Sequence, residues 1–370
     1  MATNLIVGAG LSGSVLANLI ATKLNEKVLL IDKRDEVGGN IFDYKDKESN
    51  ITIHKYGPHI FHTNNKDVWD FLSKYTKWNY FFFKPNIVIE GKLVSNPFTL
   101  TTIYELFSEK LANKFEEKLI ANYGYSSKIP ILKLKENDDK DLRFLAHYIY
   151  ENVFKNYTIK QWGLKPEEID SSVTARVPIY ISYDNRYFQD KYQAIPLNGY
   201  TKMIENILNH PNIEVRLNTD FKEITKKFDR TFYSGSIDEY FNYSLGELPY
   251  RSLKFDIQTI DKEYYQKAAV TNYPNNYDFT RITEHKYFLD EKSSKTTITF
   301  EYPQKFEQNK NERYYPIANP KNQELYEKYL QEAKKTKGLY FIGRLGQYKY
   351  YNMDLAIEKI FDLFDKELNK

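Results

Sequence analysis

Residues 4–13 read Asn-Leu-Ile-Val-Gly-Ala-Gly-Leu-Ser-Gly, and residues 27–32 read Lys-Val-Leu-Leu-Ile-Asp. The first stretch is a short apolar run that closes on Gly8, Gly10 and Gly13, in G-x-G-x-x-G spacing. Residues 12–24 continue as a helix with small side chains on its early turns. Residues 27–32 are a second apolar run, of the kind buried on both faces of a parallel sheet. Together they make a βαβ unit. Three spaced glycines alone are a weak signal. Here a strand precedes them, a helix follows, and Asp32 ends the next strand, which is the context a dinucleotide fingerprint requires. Gly8 allows the tight turn, Gly10 lets the backbone approach a pyrophosphate, and Gly13 lets helix and strand pack closely. The helix start around Ser12 offers unpaired N–H groups and a positive dipole end to phosphates. Asp32 can accept from ribose hydroxyls. A glycine turn without a ligand fits this full context poorly.

Residues 33–40, Lys-Arg-Asp-Glu-Val-Gly-Gly-Asn, place a Gly-Gly turn just after that acidic strand end. This resembles the second signature of two-dinucleotide-binding flavoproteins, where the chain passes close to FAD at positions such as Gly39 and Asn40. It points to FAD rather than NAD. Near the other end, residues 341–346 (Phe-Ile-Gly-Arg-Leu-Gly) form a strand-to-glycine turn, and a helix starts near Met353. In that class the late helix aims its N-terminus at the flavin, here through Tyr351, Asn352, Met353 and Asp354. A positive dipole end there would stabilise the anionic nitrogen of reduced flavin.

Composition removes several function classes. With 370 residues the chain calls for more than one structural unit, since single cores stop growing near roughly 250–300 residues. No apolar window approaches the ~18 residues of a membrane span. The N-terminus runs straight into a strand pattern rather than a signal peptide, so a cytoplasmic location is expected. There is no cysteine, which excludes disulfides, thiolate nucleophiles and cysteine-ligated metal. A net charge of +3 with no dense basic block gives no nucleic-acid surface. Tyr (33) and Phe (24) are abundant, so ring-stacking surfaces are easily supplied. Only ten of the 53 basic residues are Arg, so an Arg inside a Tyr-rich stretch suggests a need for a planar, bidentate donor.

Between the two ends, residues 66–96 read as aromatic and strand-like, with a hairpin at Glu90-Gly91. Residues 101–119 and 142–157 read as helices separated by a polar loop at 133–140, and 163–175 as an exposed, mobile connection broken by Pro166. Residues 250–305 alternate as an antiparallel sheet does.

Six stretches add a resemblance: Lys55-Tyr-Gly-Pro-His-Ile-Phe-His-Thr63, Lys160-Gln-Trp-Gly163, Ile195-Pro-Leu-Asn-Gly-Tyr-Thr-Lys202, Tyr250-Arg-Ser-Leu-Lys-Phe255, Arg281-Ile-Thr-Glu-His285 and Tyr348-Lys-Tyr-Tyr-Asn-Met353. In this order, and with the flavin fingerprint, they resemble the UDP-galactopyranose mutase family (bacterial type) from Ile6 to about Ile360. The resemblance implies an α/β chain: a Rossmann-like FAD-binding domain with an inserted helical domain and an antiparallel β-sheet domain. The expected boundaries are 1–65, 195–240 and 335–370 for the FAD domain, and 98–165 for the helices, with a mobile loop at 163–176. The expected sheet domain takes 66–97, 175–194 and 245–330. By analogy the helical domain is a homodimer surface. The implied reaction is interconversion of UDP-galactopyranose and UDP-galactofuranose, for cell-surface glycan synthesis. FAD is active when reduced, through a flavin N5–sugar adduct, which calls for a separate reductant.

The resemblance also assigns residues. Arg281 contacts the pyrophosphate, and Arg176 on the mobile loop joins it when substrate binds. Two guanidinium forks suit phosphate oxygens better than Lys does. Read without the family, both are as well explained as surface ion pairs. Trp162 lies near substrate; Phe154, Tyr157, Thr158 and Tyr187 line the uridine site; Asn272 is a polar substrate contact; Tyr315 and Tyr350 donate to the diphosphate. Outside the family, each of these is more often packing. His59 lies near the flavin face, and Arg344 contacts the flavin. His59 and His62 lack a carboxylate or thiolate partner at metal-site spacing, so no metal is expected. Phe83 departs from the family pattern of a small polar residue that helps hold substrate, which leaves UDP-N-acetylgalactosamine open as the substrate. The competing readings are an amine-oxidase-like FAD oxidoreductase and a non-catalytic nucleotide-sugar-binding module.

Overall fold

The computed structural model describes residues 3–165, 178–317 and 319–369. The chain forms two compact units. One takes Met1–Phe81, Asp190–Ser252 and Phe306–Lys370; the other takes Phe82–Gln189 and Leu253–Lys305.

The first unit is built on a five-stranded parallel sheet, ordered Ile213–Arg216, Lys27–Ile31, Thr3–Val7, Arg230–Tyr233, Leu339–Phe341. These strands are buried apolar runs, as the sequence requires of a sheet covered on both faces: Leu5, Ile6, Leu30, Ile31 and Phe232 are all buried. The helix Leu11–Lys23 packs against Tyr200–Leu208 and Met353–Leu363. It is buried along most of its length, which explains its lack of a polar face. Strand order reverses between Thr3–Val7 and Arg230–Tyr233, so the carboxyl ends of these neighbours form the crevice where such sheets bind ligands.

Two segments depart from the sequence reading. Lys66–Ser73, expected as strand, is a helix. Asn65 caps it by accepting from Asp67 N–H at 2.9 Å and Val68 N–H at 3.3 Å. Its aromatics, Trp69 and Phe71, mimic a strand in the text but share the buried helical stripe with Val68 and Leu72. The helix Pro320–Ala333, expected inside the sheet domain, falls in the first unit. It buries Tyr326 and Tyr329 against Ile237, Leu248, Tyr250 and Tyr348.

The second unit joins what the sequence separates. Helices Leu100–Leu106, Glu109–Tyr123, Ile131–Lys135, Lys140–Ile149 and the helical turn Tyr150–Phe154 share one apolar core with the hairpin Asn86–Ile89/Lys92–Ser95. Leu142, Leu145, Phe115, Ile89 and Val94 all enter that core. A single core makes one unit of helices and sheet. The hairpin turns at Glu90 and Gly91, as expected. Residues 101–119 contain a break at Phe107 and Ser108, after which a second helix starts at Glu109. The polar loop narrows to 136–139, because Ile131 and Leu134 anchor a short helix. The sheet is not purely antiparallel. Val270–Asn272 pairs antiparallel with Arg281–Glu284 but parallel with Asn86–Ile89. Among the described residues no helix is long and apolar enough to cross a membrane.

Candidate functional site

The first unit holds a cavity of about 860 Å³ at its switch point. The glycine turn forms its floor. Gly8 adopts φ +109°, and a Cβ there would fall 1.9 Å from Ser234 Oγ, at the end of the neighbouring strand. A Cβ on Gly13 would fall 2.0 Å from Gly8 O. On Gly10 it would meet only Gly39 Cα at 3.7 Å and Gly38 O at 4.0 Å, so nothing in the protein itself forbids it. Asp32 spans the turn: Oδ2 accepts from Ala9 N–H at 2.7 Å and Oδ1 from Arg34 N–H at 2.9 Å. The Gly-Gly segment lies against the fingerprint, with Gly38 N–H donating to Ala9 O at 2.8 Å.

The cavity brings together Gly8, Gly10, Ser12, Gly13, Asp32, Gly39, Asn40, His59, Arg344, Tyr351, Asn352 and Met353. Asp354 does not line it. Met353 and Ala356 share the lining face of the final helix, and the next position turns about 100° away. A helix start at the switch point, a Gly10 backbone that lines the cavity and an acidic strand end fit an FAD molecule. His59 Nδ1 lies 2.8 Å from Gly57 O, whereas His62 Nδ1 lies 2.9 Å from Asp190 Oδ2. Among the described residues no three His, Asp or Glu side chains gather as metal ligands. Also in this unit, the Tyr315 and Tyr350 rings meet edge to face at 5.1 Å. The Arg344 guanidinium lies 4.9 Å from the Tyr350 centroid, and its Nη2 donates to Tyr351 O at 2.6 Å.

The second unit carries the other candidates. Asn272 and Arg281 face each other across an antiparallel ladder. Arg281 makes a fork to buried Glu301, with Nε and Nη2 each 2.8 Å from a carboxylate oxygen. It is an ion pair, as a reading without the family allows, but one edge of the guanidinium is pinned by a carboxylate out of solvent. Tyr157, Thr158 and Trp162 lie on Lys155–Trp162, directly after Phe154. Tyr187 donates its N–H to Phe83 O at 2.8 Å, and the two rings are 5.6 Å apart. Arg176 lies outside the described residues.

Sequence reasoning passed over Lys160. Its ammonium donates to the carbonyls of Tyr273 (2.6 Å), Tyr277 (3.0 Å) and Phe279 (3.1 Å). It therefore ties the helix of Tyr157 and Trp162 to the turn between Asn272 and Arg281. Burial pulls Lys160 down to about 8, against the opposing charge of Asp278. Its place in Lys-Gln-Trp-Gly was visible; three carbonyl partners more than a hundred residues away were not. Sequence reasoning also gave no role to His54 and Tyr200, which hold the backbone of His59.

Comparison with known proteins adds identity to this geometry. The family model described as UDP-galactopyranose mutase matches residues 152–350, and that of an NAD(P)-binding Rossmann-like domain matches 6–75. A probable UDP-galactopyranose mutase of Klebsiella pneumoniae is 38% identical, over 99% of this chain and 94% of its own. A dTDP-fucopyranose mutase of Escherichia coli is 36% identical, over 97% and 96%. A crystal structure of reduced UDP-galactopyranose mutase shares the fold with a TM-score of 0.77 at 15% identity, covering 100% of this chain and 94% of that one. These matches favour an isomerase over the oxidoreductase and binding-module readings. From its glycine fingerprint to its final helix, this chain belongs to the UDP-galactopyranose mutase family of isomerases.

Proposed function

We propose that the first unit binds FAD in its cavity and that the chain, with the flavin reduced, interconverts UDP-galactopyranose and UDP-galactofuranose. The observation that carries this is the cavity of about 860 Å³, walled by both glycine signatures and by Arg344, Asn352 and Met353, in a chain of this family. Bound and reduced, FAD supplies the nucleophilic nitrogen that a chain without cysteine lacks.

The chain's own groups bind and orient. N–H groups at the start of Leu11–Lys23 take the pyrophosphate of FAD, and Asp32 takes the ribose while bracing the turn. The N-terminus of Met353–Leu363 places its positive end on the cavity wall, where it favours negative charge. Tyr157, Thr158 and Trp162 hold the nucleotide, with Phe154 and Tyr187 beside it. Tyr315 and Tyr350 donate to the diphosphate, and Asn272 to the sugar. Arg281, oriented by its fork to Glu301, is assigned to the diphosphate on resemblance. Arg176 is assigned the second guanidinium on resemblance alone. With this reading come the homodimer, the cytoplasmic setting, a separate reductant and the surface-glycan role.

A second reading concerns the sugar. Phe83 is buried against the Tyr187 and Phe188 rings, at 5.6 and 6.1 Å. An apolar side chain cannot pair with a sugar hydroxyl, which favours a less hydroxylated sugar, such as that in the name of the Escherichia coli relative. The test is product analysis with dithionite-reduced, FAD-loaded protein on UDP-galactofuranose, its N-acetyl counterpart and dTDP-fucofuranose. Ring conversion only with reduced flavin supports the proposal, and the rate ratio names the sugar. No conversion of any of the three refutes it.

A further inference from the structure

Between Phe306 and Tyr314, in the first unit, the chain makes a loop whose two ends are fixed side by side. Phe306 N–H donates to Tyr250 O at 3.3 Å, and Tyr314 N–H donates to Arg251 O at 2.9 Å. A surface loop with adjacent ends can swing as one body. Its turn is braced from within: Lys310 N–H donates to Glu307 O at 3.1 Å, and Glu307 N–H to Asn311 Oδ1 at 2.9 Å. Phe306 and residues 308–314 line the cavity, yet Gln308, Asn309 and Lys310 are exposed. The loop therefore stands between the cavity and solvent. Two arginines tie it to separate parts of the cavity wall. Arg313, on the loop, donates through Nη1 to Glu239 Oε2 at 2.8 Å and through Nη2 to the Tyr243 hydroxyl at 2.9 Å. Its guanidinium lies 4.2 Å from the Phe306 centroid, and only 10% of its side chain is exposed. From the wall, Arg34 reaches Glu312 at 3.4 Å, where the carboxylate is exposed. Arg34, Glu239 and Tyr243 all line the cavity. The two ties are unequal. Short, charge-assisted bonds shielded from water are strong, and a long pair to an exposed carboxylate is weak. Arg34 is also held by Asn40 Oδ1 and the Tyr56 ring, so its place does not depend on Glu312.

We propose that residues 306–314 form a gate for the dinucleotide cofactor, held shut by Arg313, and that FAD enters and leaves when the loop swings off Glu239 and Tyr243. The inference rests on the FAD reading above. A gate that is shut before and after binding sets the barrier and not the affinity. Weakening its tie raises the open fraction, and entry and exit speed up together. A side chain that only touches FAD, or only packs, changes exit and affinity and leaves entry alone.

The test measures FAD entry by stopped-flow mixing with flavin-free protein, and FAD exit by dilution of loaded protein, both through flavin fluorescence. Arg313→Met keeps an apolar stem for Phe306 and cuts both bonds of the stronger tie. It is expected to raise both rates about tenfold, the effect of losing a shielded charge-assisted pair, with Kd changed less than about threefold. Glu312→Gln cuts the weaker tie and should raise both rates about threefold at most. Adding Glu239→Gln to Arg313→Met should change little further, because the partner is already gone. Should Arg313→Met fail to fold, Glu239→Gln and Tyr243→Phe each weaken the same tie at a half-buried side chain and carry the test. Wild-type exit rates in the tie variants, a faster exit with unchanged entry, or a larger effect from Glu312→Gln than from Arg313→Met overturns the inference alone. A wild-type protein that takes up no FAD overturns the cofactor reading and this inference together.

Discussion

Gly10→Ala and Gly13→Ala differ by three positions yet should act on different quantities. Neither glycine has a positive φ, so alanine is conformationally permitted at both. At position 13 the new Cβ would sit 2.0 Å from Gly8 O and 3.2 Å from Ile6 Cγ2. Reaching an ordinary contact of roughly 3.5 Å requires the first helix to back away from the sheet by more than about 1 Å. That helix is buried between two others, so the shift costs roughly 3 kcal/mol, the upper range for overpacking. For a folding unit of roughly 200 residues this lowers Tm by roughly 6–12 °C. At position 10 the Cβ meets nothing closer than 3.7 Å, so the flavin-free protein should melt within about 1 °C of wild type. If FAD binds as proposed, with its pyrophosphate approaching the Gly10 backbone, the same methyl crowds it, and FAD affinity should drop at least about tenfold, about 1.4 kcal/mol. The assay is thermal unfolding of flavin-free protein, followed by FAD titration monitored by fluorescence. Equal Tm losses for the two variants, or Gly10→Ala with undiminished FAD affinity, would refute the reasoning.

Lys160→Met keeps the stem and strands three carbonyls; it should cost roughly 2–3 kcal/mol and raise KM for the nucleotide sugar more than it lowers kcat. Unchanged KM would separate the clamp from the substrate site. Arg281→Lys replaces a fork with a point charge and leaves Glu301 half-paired, so kcat/KM should fall roughly a hundredfold, about 2.8 kcal/mol; a loss under about threefold in steady-state rates counts against Arg281 at the diphosphate. His54 takes up a proton near 6.5 when unfolded but only near 3 when folded. The unfolded state therefore binds more protons in between, and stability falls as pH drops below about 6.5, by roughly 1.4 kcal/mol per unit. Urea titrations from pH 6.5 to 4 should show a flatter slope for His54→Gln; identical slopes would mean that His54 is protonated in the fold.

The nucleotide-binding half of this protein was legible because its signals are local. Turn, helix start and acidic strand end lie within 30 residues, and each has its own backbone chemistry. The hairpin at Glu90-Gly91 and the final helix from Met353 are local in the same sense. The aromatic helix Lys66–Ser73 misled, because bulky rings suit a strand and a buried helical stripe alike, and only packing tells them apart. Asp354 misled because helix phase at a cavity wall depends on how the helix is set against it.

The sequence alone determined the dinucleotide turn, the absence of thiol chemistry and the family resemblance, all carried by residue identities at short spacing. Tertiary structure alone decided that helices and hairpin share one core, that Lys160 clamps a turn, and that Tyr200, 141 residues from His59, holds its carbonyl. Those facts depend on which distant groups a fold brings within 3 Å. Hydrogen bonds and packing act at that range, and no periodicity along the chain encodes it.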